Sequence, residues 1–196
     1  MQLKIFVLVA FLSWPCVAQD ALSVYLRSAP AVPSSGNGYQ IGVGVDGVFH
    51  PTSYVMFDVD TSVVKESKSY VGDGWTWRGQ AETLVGAKSF WFGGGVLGSR
   101  HSNSQYTKWQ YQPIASVHYR PRMEMDLYAS YLFRAYGNDN QVQGYRLGYR
   151  GIIPVSGRLG LFAQGEYTRF RFLDSYGQKH ASGGWVSSIG VSRINN

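Results

Sequence analysis

Apolar and polar side chains alternate with a period of two in segment after segment of this 196-residue chain. Leu127, Ala129 and Tyr131 stand two residues apart, for example. The residues between them, Tyr128 and Ser130, both carry a hydroxyl group. Successive side chains of a strand point to opposite faces, so this period is typical of β-strands and not of helices. We therefore predict an all-β chain.

The alternation and the turn residues between the segments predict about ten strands. They span residues 21–31, 38–50, 53–66, 75–87, 89–99, 106–120, 122–136, 142–154, 158–172 and 183–194. Their connections alternate between short turns and mostly longer, polar loops, a pattern typical of outer-membrane barrels. The predicted fold is an antiparallel up-and-down transmembrane β-barrel of ten strands, with eight strands as the alternative. An even number of strands places both termini in the periplasm.

One face of the predicted strands carries many ionisable groups, whereas the opposite face is apolar. The acids on this face are Asp46, Asp58, Asp60, Glu82, Glu124, Asp126 and Glu166. The bases are Arg27, Arg78, Lys108, Arg120, Arg134, Arg146 and Arg150. Such a set could not fill the dry core of a secreted β-sandwich, the soluble alternative, without a large desolvation cost. Opposite charges can pair in the lumen of a barrel, and hydrocarbon requires the apolar outer face.

Composition agrees with a barrel in lipid. Charged residues make up only 15% of the chain, and 24 residues are glycine. After the N-terminus no run of 18 or more apolar residues occurs, which excludes transmembrane helices. A hydrophobic content of 44% argues against disorder.

The first residues have the features of a signal peptide. Lys4 provides a positive charge, residues 5–14 form a short apolar stretch, and small residues precede a cleavage site after Ala18. We therefore expect a signal peptide over 1–18, a barrel over 19–196 and location in the bacterial outer membrane. Cys16 is the single cysteine, so the expected mature chain has no thiol, disulfide or zinc-cysteine site.

Aromatic residues stand near the predicted strand ends, as in the two interfacial girdles of membrane barrels. Near the loops lie Tyr39, Trp75, Trp77, Tyr106, Trp109, Tyr167 and Trp185. Near the turns lie Phe49, Phe90 and Tyr119. Ordinary β-propensity is the alternative explanation for part of this set.

Two segments could support catalysis. Asp58 and Asp60 share one strand face, and paired carboxylates can orient an attacking water, as in the ten-stranded omptin proteases. The Asp-x-His pair of those enzymes is missing, so neutralisation by luminal arginines is the favoured interpretation. His101 and Ser102 are adjacent, whereas lipid A deacylases carry His-x-Ser-Asn, so we predict a polar surface loop there. His118 faces the predicted lumen without an obvious serine partner. We predict no catalytic residues, no metal site and no cofactor.

A local resemblance accompanies these patterns. The segment Tyr119-Arg120-Pro121, with Leu127, Ser130, Arg134 and Gly137 after it, resembles a hairpin in the C-terminal barrels of phage-adsorption and exopolysaccharide-secretion outer-membrane proteins. The whole mature chain looks like a small outer-membrane β-barrel protein. The resemblance implies an accessory role in surface polysaccharide secretion or phage adsorption.

The formal net charge of +6 points to anionic partners. Export argues against nucleic acid, so we expect contact with the phosphates of lipopolysaccharide. The candidate residues near the loops are Lys65, Lys68, Arg100, Lys108, Arg169, Arg171 and Lys179. We predict a monomeric, non-enzymatic barrel with a plugged lumen, inserted by the barrel-assembly machinery and acting through its loops. An accessory protein for surface polysaccharide and an outer-membrane hydrolase of lipid or peptide are the alternatives.

Overall fold

A computed structural model describes residues 19–30, 39–67, 74–102, 107–122, 124–137, 142–173 and 176–194. The predicted signal peptide and Lys68 lie outside these ranges. The strands are β1 (Gln19–Pro30), β2 (Tyr39–Thr52), β3 (Val55–Ser67), β4 (Gly74–Ala87), β5 (Phe90–Ser102), β6 (Thr107–Arg122), β7 (Met125–Leu132), β8 (Gln143–Ser156), β9 (Leu159–Leu173) and β10 (Lys179–Ile194). Within the described ranges, no helix is long and apolar enough to cross a membrane.

The ten strands form one closed antiparallel barrel. Each strand pairs with its neighbours in the chain, and β10 returns to pair with β1. The prediction of a ten-stranded up-and-down barrel is therefore confirmed, and the eight-stranded alternative is wrong. Closure pairs both edges of every strand, which a sheet in hydrocarbon requires.

Two predicted strand ends differ from the structure by four residues, and the other ends differ by three or fewer. β7 ends at Leu132 instead of residue 136. The reason lies in the neighbouring strand β6, where the carbonyl of Pro113 accepts a hydrogen bond from the amide of Phe133 at 3.0 Å. Proline has no N–H to donate back, so the regular pairing stops there and resumes as a single bridge between Tyr111 and Tyr136. β10 begins at Lys179 instead of residue 183 because it extends its pairing with β9 as far as Leu173.

The two ends of the barrel differ. At one, called the turn end, short turns join β2 to β3, β4 to β5, β6 to β7 and β8 to β9. The described ends of the chain meet there, since Ala21 pairs with Ile194. The opposite end, called the loop end, carries the connections that include residues 31–38, 68–73, 103–106, 133–142 and 174–178.

The strands of the barrel separate a polar inside from an apolar outside. On β7 the luminal Asp126, Tyr128 and Ser130 are buried, whereas Leu127 and Tyr131 are exposed on the outer face. Two apolar clusters fill the lumen towards the turn end. One comprises Ala21, Tyr25, Ile152, Phe162 and Ile194, and the other comprises Val48, Met56, Leu84 and Trp91. We call them the turn-end clusters.

Aromatic side chains contact one another on the outer face near both ends. Towards the loop end, Tyr167 packs against Trp185 with ring centroids 5.6 Å apart, and Trp77 packs against Trp109 at 6.0 Å. Near the turn end, the rings of Phe90 and Tyr119 are 4.9 Å apart. The side chains of Tyr39 and Tyr106 lie outside the described part of the molecule.

Candidate functional site

Arg150 on β8 is the centre of a buried ion network in the lumen. Its guanidinium contacts Asp46 on β2 and Asp58 on β3, with Nη1 3.2 Å from Asp58 Oδ1. Nη2 also donates to Asp126 Oδ2 on β7 at 2.7 Å. All four side chains are buried. One guanidinium therefore binds carboxylates from three other strands.

His118 on β6 extends this network towards β4. Its Nδ1 lies 3.0 Å from Asp126 Oδ2, and its Nε2 lies 3.7 Å from Glu82 Oε2. Glu82 also accepts a hydrogen bond from Ser116, two residues from His118 on the same face. The ring of Tyr128 stacks on the imidazole with centroids 5.5 Å apart. His118 is thus held between two carboxylates and an aromatic ring.

Arg146, four residues from Arg150 on the same strand face, forms a second group nearer the loop end. It donates to Ser130 Oγ at 3.1 Å and to Glu82 Oε1 at 3.3 Å, and it also contacts Gln80. Its Nη1 lies 3.4 Å from Glu166 Oε2. Glu82 therefore belongs to both groups and joins them into one network.

Two buried tyrosines complete the network, and each needs a glycine beside it. Tyr25 donates to Asp60 Oδ1 at 2.8 Å, and Tyr128 donates to Glu166 Oε2 at 2.9 Å. An ideal Cβ added to Gly44 would stand 2.4 Å from the ring of Tyr25, and one added to Gly148 would stand 2.3 Å from the ring of Tyr128. A larger residue at either glycine would displace the tyrosine ring.

The structure brings together most of the residues predicted to face the lumen. Arg150 contacts Asp46, Asp58 and Asp126, Arg146 lies against Glu82 and Glu166, and Asp60 holds Tyr25. The remaining residues of the predicted set differ in exposure. Arg27 and Arg120 are buried, Arg78 and Glu124 are half-buried, Arg134 is exposed beyond β7, and the side chain of Lys108 lies outside the described part.

Sequence reasoning gave no role to three luminal partners. They are Tyr25, Tyr128 and Ser116. Strand alternation placed both tyrosines on the same face as the charged residues, but tyrosine is also common on the outer face of a barrel near the membrane interfaces. A tyrosine on the charged face, with glycines at luminal positions of the neighbouring strand, was the signal that could have identified them.

Within the described residues, the two segments considered for catalysis do not assemble a site. Asp58 binds Arg150, whereas Asp60 accepts a hydrogen bond from Tyr25, so the two carboxylates have different partners. His101 lies in β5, not in the predicted polar loop, and its Nδ1 is 2.8 Å from Thr76 Oγ1. Ser102 follows it on the opposite strand face.

His118 has a serine on its own strand face, contrary to the sequence expectation. Ser116 donates to Glu82, however, and the imidazole Nδ1 is engaged by Asp126. A serine nucleophile and its base must be accessible to a substrate, whereas Ser116, Glu82 and His118 are all buried. The arrangement is that of a buried structural hydrogen bond.

Asp58, His118 and Asp126 also meet the distance requirement for a metal site, with one possible ligand atom each within 4.8 Å of the others. The guanidinium of Arg150 contacts both carboxylates. Its Nη2 donates to Asp58 and Asp126, so these carboxylates are already engaged at the position that a cation would take. The donor set therefore does not fit a metal ion while Arg150 occupies this position.

Comparison with known proteins returns solved structures of low sequence identity. No family model and no curated protein matches the chain. Among solved structures, the outer membrane protease OmpT from Escherichia coli aligns with a TM-score of 0.45 at 10% identity, covering 91% of this chain and 95% of that chain. A mutant of the TodX monoaromatic hydrocarbon channel aligns at 0.27 and 11% identity, covering 92% and 70%. A mutant of the Rh. blastica porin aligns at 0.22 and 7%, covering 89% and 99%. The barrel assignment for this chain comes from its own strand pairing.

Proposed function

We propose that the protein is a bacterial outer-membrane β-barrel with a plugged lumen, without enzymatic activity, that acts through its extracellular loops. Its role is then structural, adhesive or receptor-like. The observation that carries the proposal is the packed ion network, which leaves the inside of the barrel to structural contacts.

The outer surface supports a membrane location. Large apolar side chains are exposed around the barrel, including Leu26, Ile41, Leu147, Ile153 and Ile189. Exposed apolar area of this extent is unusual for a soluble monomer and is required of a surface in hydrocarbon. The acidic strand residues with described side chains face the lumen instead.

The lumen supports a closed barrel. Arg150 and Arg146 join strands across the interior. The turn-end clusters fill the lumen between these arginines and the turn end. Side chains fill barrels of this small size rather than leaving an aqueous channel. Conductance of the purified protein in planar lipid bilayers tests this part. We expect no ohmic channel, and a steady ion-selective conductance would contradict a plugged lumen.

The loop end is the surface left for partners when the lumen is packed and the outer face is covered by lipid. Short turns at the other end expose little surface to the periplasm. An accessory role in surface polysaccharide secretion or phage adsorption would use the same loops. The hydrolase alternative lacks support, because the carboxylates and the serine considered for catalysis are engaged in structural contacts.

Cells can test the loop hypothesis directly. We would replace residues 138–141, in the connection between β7 and β8, with a glycine-serine segment of equal length and compare adhesion, phage sensitivity and surface polysaccharide with the parent strain. A matched change at the turn end, Ser53→Gly, serves as control. Loss of one property in the loop variant alone supports the proposal. Unchanged properties together with a lipid A mass that depends on the protein would support a hydrolase instead.

A further inference from the structure

Acidic side chains of the described residues are largely confined to the inside of the barrel, whereas basic side chains lie both inside and outside it. Of the acidic side chains that the structure describes, all lie in the lumen except Glu124 in the turn between β6 and β7. Cations stand on the outer side at both ends. Exposed at the loop end are Lys65, Arg100, Arg169, Arg171 and Lys179, and at the turn end Lys88, Arg122, Arg158 and Arg193. Both ends are therefore suited to anionic groups.

One part of the loop end concentrates this charge. Arg169 and Arg171 point outwards from β9, and Lys179 lies on the same face at the start of β10. Arg169 stands in register between Tyr145 and Gly183. We call Arg169, Arg171 and Lys179 the basic patch. Within the described residues, no ion pair engages any of its three members.

The aromatic pair below the basic patch sets its depth in the membrane. Tyr167 and Trp185 pack together on the outer face, and Trp185 is exposed. Aromatic residues of this kind sit at the headgroup level. Arg169 follows Tyr167 by two residues, a rise of about 7 Å along a strand. The guanidinium groups therefore lie just outside the hydrocarbon, where lipid phosphates lie.

Small neighbours leave the basic patch open to a bulky headgroup. Arg171 pairs in register with Ala181, and Arg169 pairs with Gly183. Arg100 differs, because its guanidinium lies 5.1 Å from the ring centroid of Trp109 and is already engaged. The basic patch combines three exposed cations, small neighbours and an aromatic pair.

We infer that the basic patch binds a phosphate of the lipid A part of lipopolysaccharide, with an acyl chain lying against Tyr167 and Trp185. Arginine binds phosphate through two parallel hydrogen bonds, and lysine adds a point charge. The headgroup carries phosphate at the interface, and its acyl chains enter the hydrocarbon beside the aromatic pair. The inference rests on the proposed outer-membrane location.

Thermal unfolding of the purified full-length protein in detergent tests the site. The variants are Arg169→Gln with Arg171→Gln at the loop end and, as control, Arg122→Gln with Arg158→Gln at the turn end. Each removes two charges. We expect purified lipopolysaccharide to raise the melting temperature of the parent and the control, and the loop-end variant to lose more than half of that shift. Without lipid, all three should melt alike.

Two further arms identify the ligand. Dephosphorylated lipopolysaccharide should give a reduced shift in the parent, and inorganic phosphate alone should give none. An equal shift in the parent and the loop-end variant would overturn the inference. A full shift from inorganic phosphate would identify a free-anion site instead of a lipid site. Failure of the protein to fractionate with outer membranes would contradict the proposed location, whereas correct fractionation without the lipopolysaccharide effect would contradict this site alone.

Discussion

Arg150 on β8 and Asp58 on β3 contact each other from opposite sides of the barrel, since five strand steps separate them in either direction. Their contact therefore spans the width of the lumen. Asp46 and Asp126 bind the same guanidinium from two further strands. The network thus connects strands that share no backbone hydrogen bonds.

Removal of this connection should destabilise the barrel. Arg150→Ala would leave three buried carboxylates without their common cation, and breaking a buried ion pair costs about 3–5 kcal/mol. Arg146→Ala should cost less, about 1–3 kcal/mol, because its partners keep hydrogen bonds from other side chains. Urea unfolding in lipid vesicles measures both. Arg169→Ala, on the outer surface, is the control, and equal midpoints for Arg150→Ala and Arg169→Ala would contradict the role of the network.

Glycine substitutions should separate positions that touch a luminal tyrosine from positions in open space. Gly148→Ala would drive Tyr128 from its position and weaken its bond to Glu166, at a cost of about 1–3 kcal/mol. Gly184→Ala should be neutral or stabilise by up to about 1 kcal/mol, because no described atom lies within 4 Å of the added Cβ. The same urea assay compares them. A greater loss at Gly184 would show that the tyrosine packing has been misjudged.

Neighbouring residues on β7 should report different environments. Ala129 is exposed on the outer face, whereas Ser130 is buried and accepts a hydrogen bond from Arg146. Ala129→Arg should cost about 2–4 kcal/mol in a membrane refolding assay, as expected for a cation at mid-bilayer. A spin label at 129 should be relaxed by oxygen dissolved in lipid and shielded from a water-soluble relaxant. The reverse result at this position would invert the assignment of faces.

Tryptophan fluorescence offers an independent measurement of the two faces. Trp185 is 57% exposed on the outer surface, whereas Trp91 is 5% exposed inside a turn-end cluster. Brominated phospholipids quench fluorophores that they contact. In variants that retain a single tryptophan, we expect strong quenching of Trp185 and weak quenching of Trp91. Comparable quenching of both would mean that Trp91 faces lipid and that the lumen is packed differently.

Alternation in the sequence predicted which side chains share a face, and therefore the fold, and it pointed to the charged residues that contact one another in the ion network. It did not predict the partners, because a period of two gives the face of a residue and not its height in the barrel. The height of a residue along the barrel axis depends on the register of every strand pair, and these registers add up around the barrel. Arg150 meets Asp46 and Asp58 from 104 and 92 residues away. No local pattern encodes such a meeting.

Strand ends were predicted less accurately than strand centres for a similar reason. The early end of β7 is caused by Pro113, which belongs to the neighbouring strand β6 and lies 20 residues from Phe133 along the chain. The sequence of β7 itself alternates without interruption up to Phe133. Backbone pairing, not side-chain pattern, decides where a strand ends.

The pairing of β1 with β10 closes the barrel, and this seam affects how the chain folds. Ser23 donates to Ser192 across it at 3.0 Å, although 169 residues separate them in the chain. The seam therefore cannot form until the last strand has been synthesised, and it contributes contacts of very high sequence separation. Loop-closure entropy opposes such contacts, which makes folding slow. Until that moment β1 and β10 present free edges, so the chain needs protection from aggregation before the barrel closes.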